Sequence, residues 1–82
     1  MDLIRLGDAT DHGGKVITAS ETMEYDGIAV ARKGDRITCP LHPDVHPNVI
    51  EEGDETMDDE GIPIARAGHS GTCGCRLISS IA

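Results

Sequence analysis

The stretch Glu21-Thr22-Met23-Glu24-Tyr25-Asp26-Gly27-Ile28-Ala29-Val30-Ala31-Arg32-Lys33-Gly34-Asp35 decides the fold, because the chain writes it twice. It returns 34 positions later as Glu55-Thr56-Met57-Asp58-Asp59-Glu60-Gly61-Ile62-Pro63-Ile64-Ala65-Arg66-Ala67-Gly68-His69. Glu, Thr, Met, Gly, Ile, Ala, Arg and Gly recur at matching places, and the match runs on without a gap to Thr38-Cys39 against Thr72-Cys73. Self-similarity at a fixed spacing marks a repeat architecture, in which small units bury their apolar faces against one another.

Part of the unit occurs a third time at the chain start. Gly7-Asp8-Ala9-Thr10-Asp11-His12 aligns with Gly34-Asp35-Arg36-Ile37-Thr38-Cys39 and with Gly68-His69-Ser70-Gly71-Thr72-Cys73. The three copies end in His12, Cys39 and Cys73, all of a type that binds zinc. An apolar stretch follows each copy: Lys15-Val16-Ile17, Asn48-Val49-Ile50 and Arg76-Leu77-Ile78. These stretches are short and partly β-branched, with Gly or Pro close ahead, and so read as strands. Asp26-Gly27 and Glu60-Gly61 stand where a hairpin needs positive φ, which Gly supplies cheaply. Ile28, Val30 and Arg32 alternate with Ala29 and Ala31 at the period of a strand. No helical stripe emerges, and ten glycines with four prolines disfavour long helices. The expected fold is all-β: three units about a pseudo-threefold axis, the turns at one end and His12, Cys39 and Cys73 converging at the other.

At 82 residues the chain is one domain, 1–82, with a small core. That core is poorer than usual, since Trp and Phe are absent and Tyr25 is the only aromatic. A metal, disulfides or a partner should therefore help hold it. The net charge of −8 argues against nucleic acid and against an anionic membrane surface. Much of the acid lies between Glu51 and Glu60, read as a solvated turn face. Met1 to Asp8 has no apolar run flanked by basic residues, so no signal peptide is expected, and no apolar run is long enough to cross a bilayer. The expectation is a cytoplasmic protein that leaves, if at all, without a cleavable signal.

Three cysteines make a poor disulfide framework, whereas Cys39, Cys73 and Cys75 beside four histidines suit zinc. The candidate ligands are His12, Cys39, His42, His46, His69, Cys73 and Cys75. Cys39-Pro40-Leu41-His42 forms a short chelate pair, His69 and Cys73 a second pair four residues apart, and His12 joins from the far end. A metal so held would cross-link all three units, making its binding free energy part of the folding free energy. His46 aligns with Gly13 and reads as a surface residue; Cys75 aligns with Gly14 and reads as a small hydrophobe. A catalytic zinc would need an open position and a base, and nothing marks Glu51 or Glu52 as one. Cysteine-protease chemistry needs a cleft that so small a repeat chain has little room to form.

At this point the residues resemble a known family. Ile28-Ala29-Val30-Ala31-Arg32 loosely, and Pro63-Ile64-Ala65-Arg66 more closely, are similar to the Pro-Ala-Ala-Arg motif that names the PAAR family. Asp11-His12-Gly13-Gly14, Cys39-Pro40-Leu41-His42 and Cys73-Gly74-Cys75 are similar to its other signatures, so the resemblance covers nearly the whole chain. The resemblance implies a small cone of short β-hairpins stapled by one structural zinc near its apex. It further implies a type VI secretion spike tip, with a broad base on the blunt end of a trimeric VgrG β-helix. Carried over by position, His12, His42 and Cys73 are ligands. The fourth is His69 or Cys39: repeat symmetry favours Cys39, the local spacing to Cys73 favours His69, and His69 is preferred with Cys39 retained.

The same resemblance implies a structural role without enzymatic activity. The tip would cap and sharpen the spike, contact the target membrane only during puncture and take up effector cargo non-covalently, no toxin extension being expected. It would assemble in the cytoplasm and leave through the secretion machine. The surface docked on the spike is expected to be apolar, with Leu3, Ile4, Val49 and Ile81 as candidates and the Glu51–Glu60 segment mostly outside it. The competing readings are a free-standing zinc-binding β interaction module and, behind it, a small metallohydrolase.

Overall fold

Asp26-Gly27 and Glu60-Gly61 adopt positive φ at both residues (55° and 82°, 54° and 85°) in the computed structural model, which describes residues 2–81. Met1 and Ala82, the ends of the expected domain, lie outside the described residues. Two successive positive φ values are the signature of a type I′ turn, whose twist matches that of antiparallel strands. Each turn accordingly closes a hairpin. β1 (Glu24–Tyr25) pairs with β2 (Ile28–Ala29), and β3 (Asp54–Asp59) with β4 (Ile62–Ile64). The second ladder is irregular between Asp54 and Asp58, next to Pro63, which has no N–H to donate. No helix occurs among the described residues.

Nine isolated antiparallel bridges among the described residues build the rest of the architecture, and they fall into three sets of three. In the first set, Arg5 faces Val30, Arg32 faces Ile64 and Arg66 faces Leu3, which links unit to unit in a closed cycle. In the second, Ala9–Lys15, Arg36–Val49 and Ser70–Arg76 fold each unit back on itself. The third joins neighbours again through Val16–Ile37, Ile50–Gly71 and Thr10–Leu77. A triangle of backbone bonds closes around the axis: Ala31 N–H to Ile4 O (2.8 Å), Ala65 N–H to Ala31 O (3.0 Å) and Ile4 N–H to Ala65 O (3.1 Å). In this triangle every buried N–H is satisfied by a neighbouring unit, so each unit depends on the next. This pseudo-threefold order is what the repeat register predicts.

Each unit turns through the same corner. The peptide carbonyls of Arg5, Arg32 and Arg66 accept the N–H of Asp8, Asp35 and His69 at 3.0, 3.0 and 3.1 Å. Between them stand Gly7, Gly34 and Gly68, at φ of 88°, 92° and 86°, where any side chain would be strained. The side chain at the far end then caps the first N–H. Asp8 Oδ2 accepts from Arg5 at 2.8 Å, Asp35 Oδ2 from Arg32 at 2.7 Å, and His69 Nδ1 from Arg66 at 3.0 Å.

Leu3, Val30 and Ile64, at equivalent positions, form one fully buried layer, against which Met23, Met57 and Ile81 pack. Ile4, Ala31 and Ala65 belong to a larger cluster with Val16, Ile37, Ile50, Cys75 and Leu77. Leu3 and Ile4 (1% and 0% exposed) are therefore core residues, not the surface pair the sequence reading expected. Val49 and Ile81 are half-buried; Val49 pairs with Arg36 away from the Leu3 layer, so the four residues do not make one face. The acid-rich segment is not simply a solvated turn either. Asp54 pairs with Arg66 (2.8 Å) and Asp59 with Arg32 (3.4 Å), while Asp59 also accepts from Ser20 and Thr22.

Candidate metal centre

His12, Cys39 and Cys73 occupy the same register position of the three units, and the pseudo-threefold axis brings them together. His12 Nδ1 lies 3.5 Å from Cys39 Sγ and 3.9 Å from Cys73 Sγ, and all three donor atoms fall within 4.8 Å of one another. Cys39 is buried and the other two half-buried. Each is held by its surroundings. Thr10 Oγ1 accepts the N–H of His12 (3.3 Å) and of Gly14 (3.1 Å), which fixes the loop that carries the imidazole. Cys73 N–H donates to Asn48 Oδ1 at 3.3 Å. The opposite ring nitrogen of His12, Nε2, faces the Asp11 carboxylate at 3.9 Å. That carboxylate is itself anchored by the Arg76 N–H at 2.8 Å.

The spacing fits a metal. Tetrahedral zinc, with bonds of about 2.3 Å to sulfur and 2.0–2.1 Å to nitrogen, sets its donors roughly 3.5–3.8 Å apart. The two His12–Cys separations of 3.5 and 3.9 Å match those edges. The thiols are unequal. Burial alone would raise the pKa of Cys73, but hydrogen bonds with Cys39, Cys75 and Asn48 outweigh it and bring the group down to about 6. Burial and the neighbouring Cys73 raise Cys39, and the same two causes push Cys75 up to about 11. A thiolate is the form that binds metal, so the cluster offers one readily formed thiolate, a second thiol that a cation would deprotonate, and an imidazole nitrogen.

The remaining candidates lie outside this cluster. His42 stands beside it: its ring is edge-to-face with His12, centroids 5.3 Å apart, on the loop that begins at Cys39. His42 N–H donates to Cys39 O at 3.2 Å, which closes a turn across Pro40 and Leu41. His69, preferred over Cys39 in the sequence reading, spends its Nδ1 on the Arg66 corner, whereas Cys39 stands in the cluster. The physical reason is register: His69 is the third copy of the capping position held by Asp8 and Asp35, not of the position held by His12. His46 is exposed, and Cys75 is fully buried in the core. The supporting Thr10, Asp11 and Asn48 were not singled out from sequence. Thr10 and Asp11 could have been found beside His12 in the repeat, but Asn48 follows a long loop peculiar to the second unit.

Fold and site together define a small all-β repeat domain whose His/Cys cluster is able to bind a metal ion. The family defined by the PAAR motif matches residues 6–79, and the chain belongs to that family. The PAAR motif is found in spike-tip proteins of type VI secretion systems, a structural rather than an enzymatic family. No curated protein matches the chain.

Proposed function

We propose that this chain is the tip of a type VI secretion spike, seated on the blunt end of a VgrG-type β-helical trimer with its metal end pointing away. The observation that carries the reading is the closed three-set bridge pattern: one chain offers a trimer three near-equivalent edges. The half-buried Met23, Met57 and Ile81, which pack over the buried Leu3–Val30–Ile64 layer, form the surface we assign to docking. A trimer end presents unpaired strand edges and apolar core residues, and an apolar cap covers both. The metal is zinc, held by His12, Cys39 and Cys73 with His42 as the fourth donor, and it staples a tapered end that must not fray under load. In this role the protein assembles in the cytoplasm and is exported with the spike. It touches the target membrane during puncture and carries effectors non-covalently.

The test is co-purification with the trimer, with metal content and melting measured on the same samples. The wild type should co-purify, and Ile81→Asp or Met57→Asp should abolish binding while one zinc per chain is retained. A metal-loaded, folded wild type that binds no spike would leave the free-standing zinc module as the better reading.

A further inference from the structure

The same corner is built three times, and the chain caps it with a carboxylate twice and an imidazole once. We propose that His69 is a proton-operated latch: its neutral ring closes the third corner by accepting the Arg66 N–H, and protonation opens that corner while the two carboxylate-capped corners stay shut. The geometry requires a neutral ring. A nitrogen that accepts a hydrogen bond carries no proton, so Nδ1, 3.0 Å from the Arg66 nitrogen, leaves the ring proton on Nε2. Adding a proton at Nδ1 turns the acceptor into a donor aimed at another donor. Asp8 and Asp35 suffer no such reversal at any pH at which they remain carboxylates.

The groups facing His69 do not change charge in the same window. Arg66 belongs to its own turn, with the guanidinium clamped by Asp2 (2.6 Å) and Asp54 (2.8 Å). Segment 51–54 also contributes Glu52, which accepts from the Ser70 N–H at 2.8 Å and lies 3.9 Å from Arg76. The Leu77 strand, whose N–H donates to His69 O at 2.9 Å, contributes Arg76. Hydrogen bonding holds Glu52, Asp2 and Asp54 below the ordinary carboxylate range, so all three stay ionised between pH 5 and 8, where histidine changes charge.

What the latch holds is specific. Arg66 pairs with Leu3, Ala67 N–H donates to Asp2 O at 2.9 Å, and the Arg66 side chain reaches Asp54 at the start of β3. Opening the corner loosens the seam where the third unit meets the first and leaves the equivalent seams at Arg5 and Arg32 intact. The molecule thus has one acid-sensitive seam out of three.

The three corners supply their own controls. Amide exchange of the metal-loaded, 15N-labelled full chain is followed by NMR from pH 8 to 5, each rate corrected for the intrinsic pH dependence of exchange. Protection at the Arg66 amide should fall by about tenfold as pH drops, the loss expected when one hydrogen bond goes, while Arg5 and Arg32 hold steady. His69→Asp, which copies the other corners, should make all three alike. Protection at Arg66 that is flat with pH, or that still falls in His69→Asp, overturns the proposal. The wild-type comparison decides even if the variant folds poorly.

Discussion

Replacing His12 by Ala removes one donor of the cluster, and the structure sets the size of the effect. Structural zinc is worth about 10–16 kcal/mol shared over four donors, so one donor is worth ~3 kcal/mol. A domain of this size shifts its Tm by roughly 4–8 °C per kcal/mol, so His12→Ala should melt about 12–24 °C below the wild type. His46→Ala touches an exposed residue and should move Tm by no more than a few degrees, from a change of about 0.5 kcal/mol. His69→Ala leaves the Arg66 N–H without its acceptor, at a cost of about 1–3 kcal/mol, but removes no donor. Melting temperature alone does not separate His12 from His69; the metal does. Each protein is to be melted with and without a strong chelator, with zinc counted by elemental analysis. The wild type, His46→Ala and His69→Ala should carry one zinc and lose stability with chelator. His12→Ala should carry little zinc and respond little. If His12→Ala keeps one zinc and the full chelator response, or if His69→Ala loses its metal, the ligand assignment is wrong.

Three further outcomes follow from particular contacts. Ile50→Ala opens a cavity at a residue only 1% exposed and should cost about 2–5 kcal/mol, whereas Ile78→Ala at a 49% exposed site should cost well under 1 kcal/mol; denaturant midpoints compare them. Gly34→Ala places a side chain at φ 92° and should destabilise by about 1–2 kcal/mol without altering zinc content. Hydrogen bonds from the Thr56 side chain and N–H, then from Arg66, lower Asp54 to about 2. Since the folded pKa lies below the unfolded one, its stabilisation is fully present above about pH 4 and lost as pH falls through about 2. Melts of chelated protein should therefore show a shallower acid limb in Asp54→Asn than in the wild type.

The hairpins and the threefold order were legible because repetition is a property of sequence. Asp-Gly and Glu-Gly recur in one register, and the copies ending in His12, Cys39 and Cys73 could be aligned by eye. The bridges needed no strand-length signal once that register was known. In the choice between His69 and Cys39 local spacing competed with register, and the cluster follows register. His69 and Cys73 are close in the chain, but their side chains serve different layers. Burial was harder still to read. Leu3 and Ile4 carry no mark that separates a core residue from a docking residue, because an apolar side chain satisfies either environment. Only the closed ring places them: Leu3 is the counterpart of Val30 and Ile64, and a layer of three equivalent residues on the axis has to be interior. The Arg5, Arg32 and Arg66 series was visible too. Its link to the acidic segment was not, because the Arg32–Asp59 and Arg66–Asp54 pairs depend on where the hairpins turn.

Writing three units into one chain has a consequence that three identical chains could not achieve. An axis of exact threefold symmetry must present three identical side chains at every level, whereas the covalent repeat frees each copy to differ. At the metal level the copies are one imidazole and two thiols, a mixed donor set suited to zinc. After Cys39 the second copy inserts the loop that carries His42 beside His12, which puts a further imidazole next to a site that strict symmetry would leave with three donors. At the corners the copies are two carboxylates and one imidazole, which confines acid sensitivity to a single seam. Where a side chain must only fill space, the copies stay interchangeable, as Leu3, Val30 and Ile64 do. Part of the divergence among the copies thus falls where unlike groups serve chemistry, while the bridges keep the axis. The proposed role as a cap for a threefold spike would use both properties: near-equivalent edges around the axis, and a site of unlike donors that only an asymmetric chain can present.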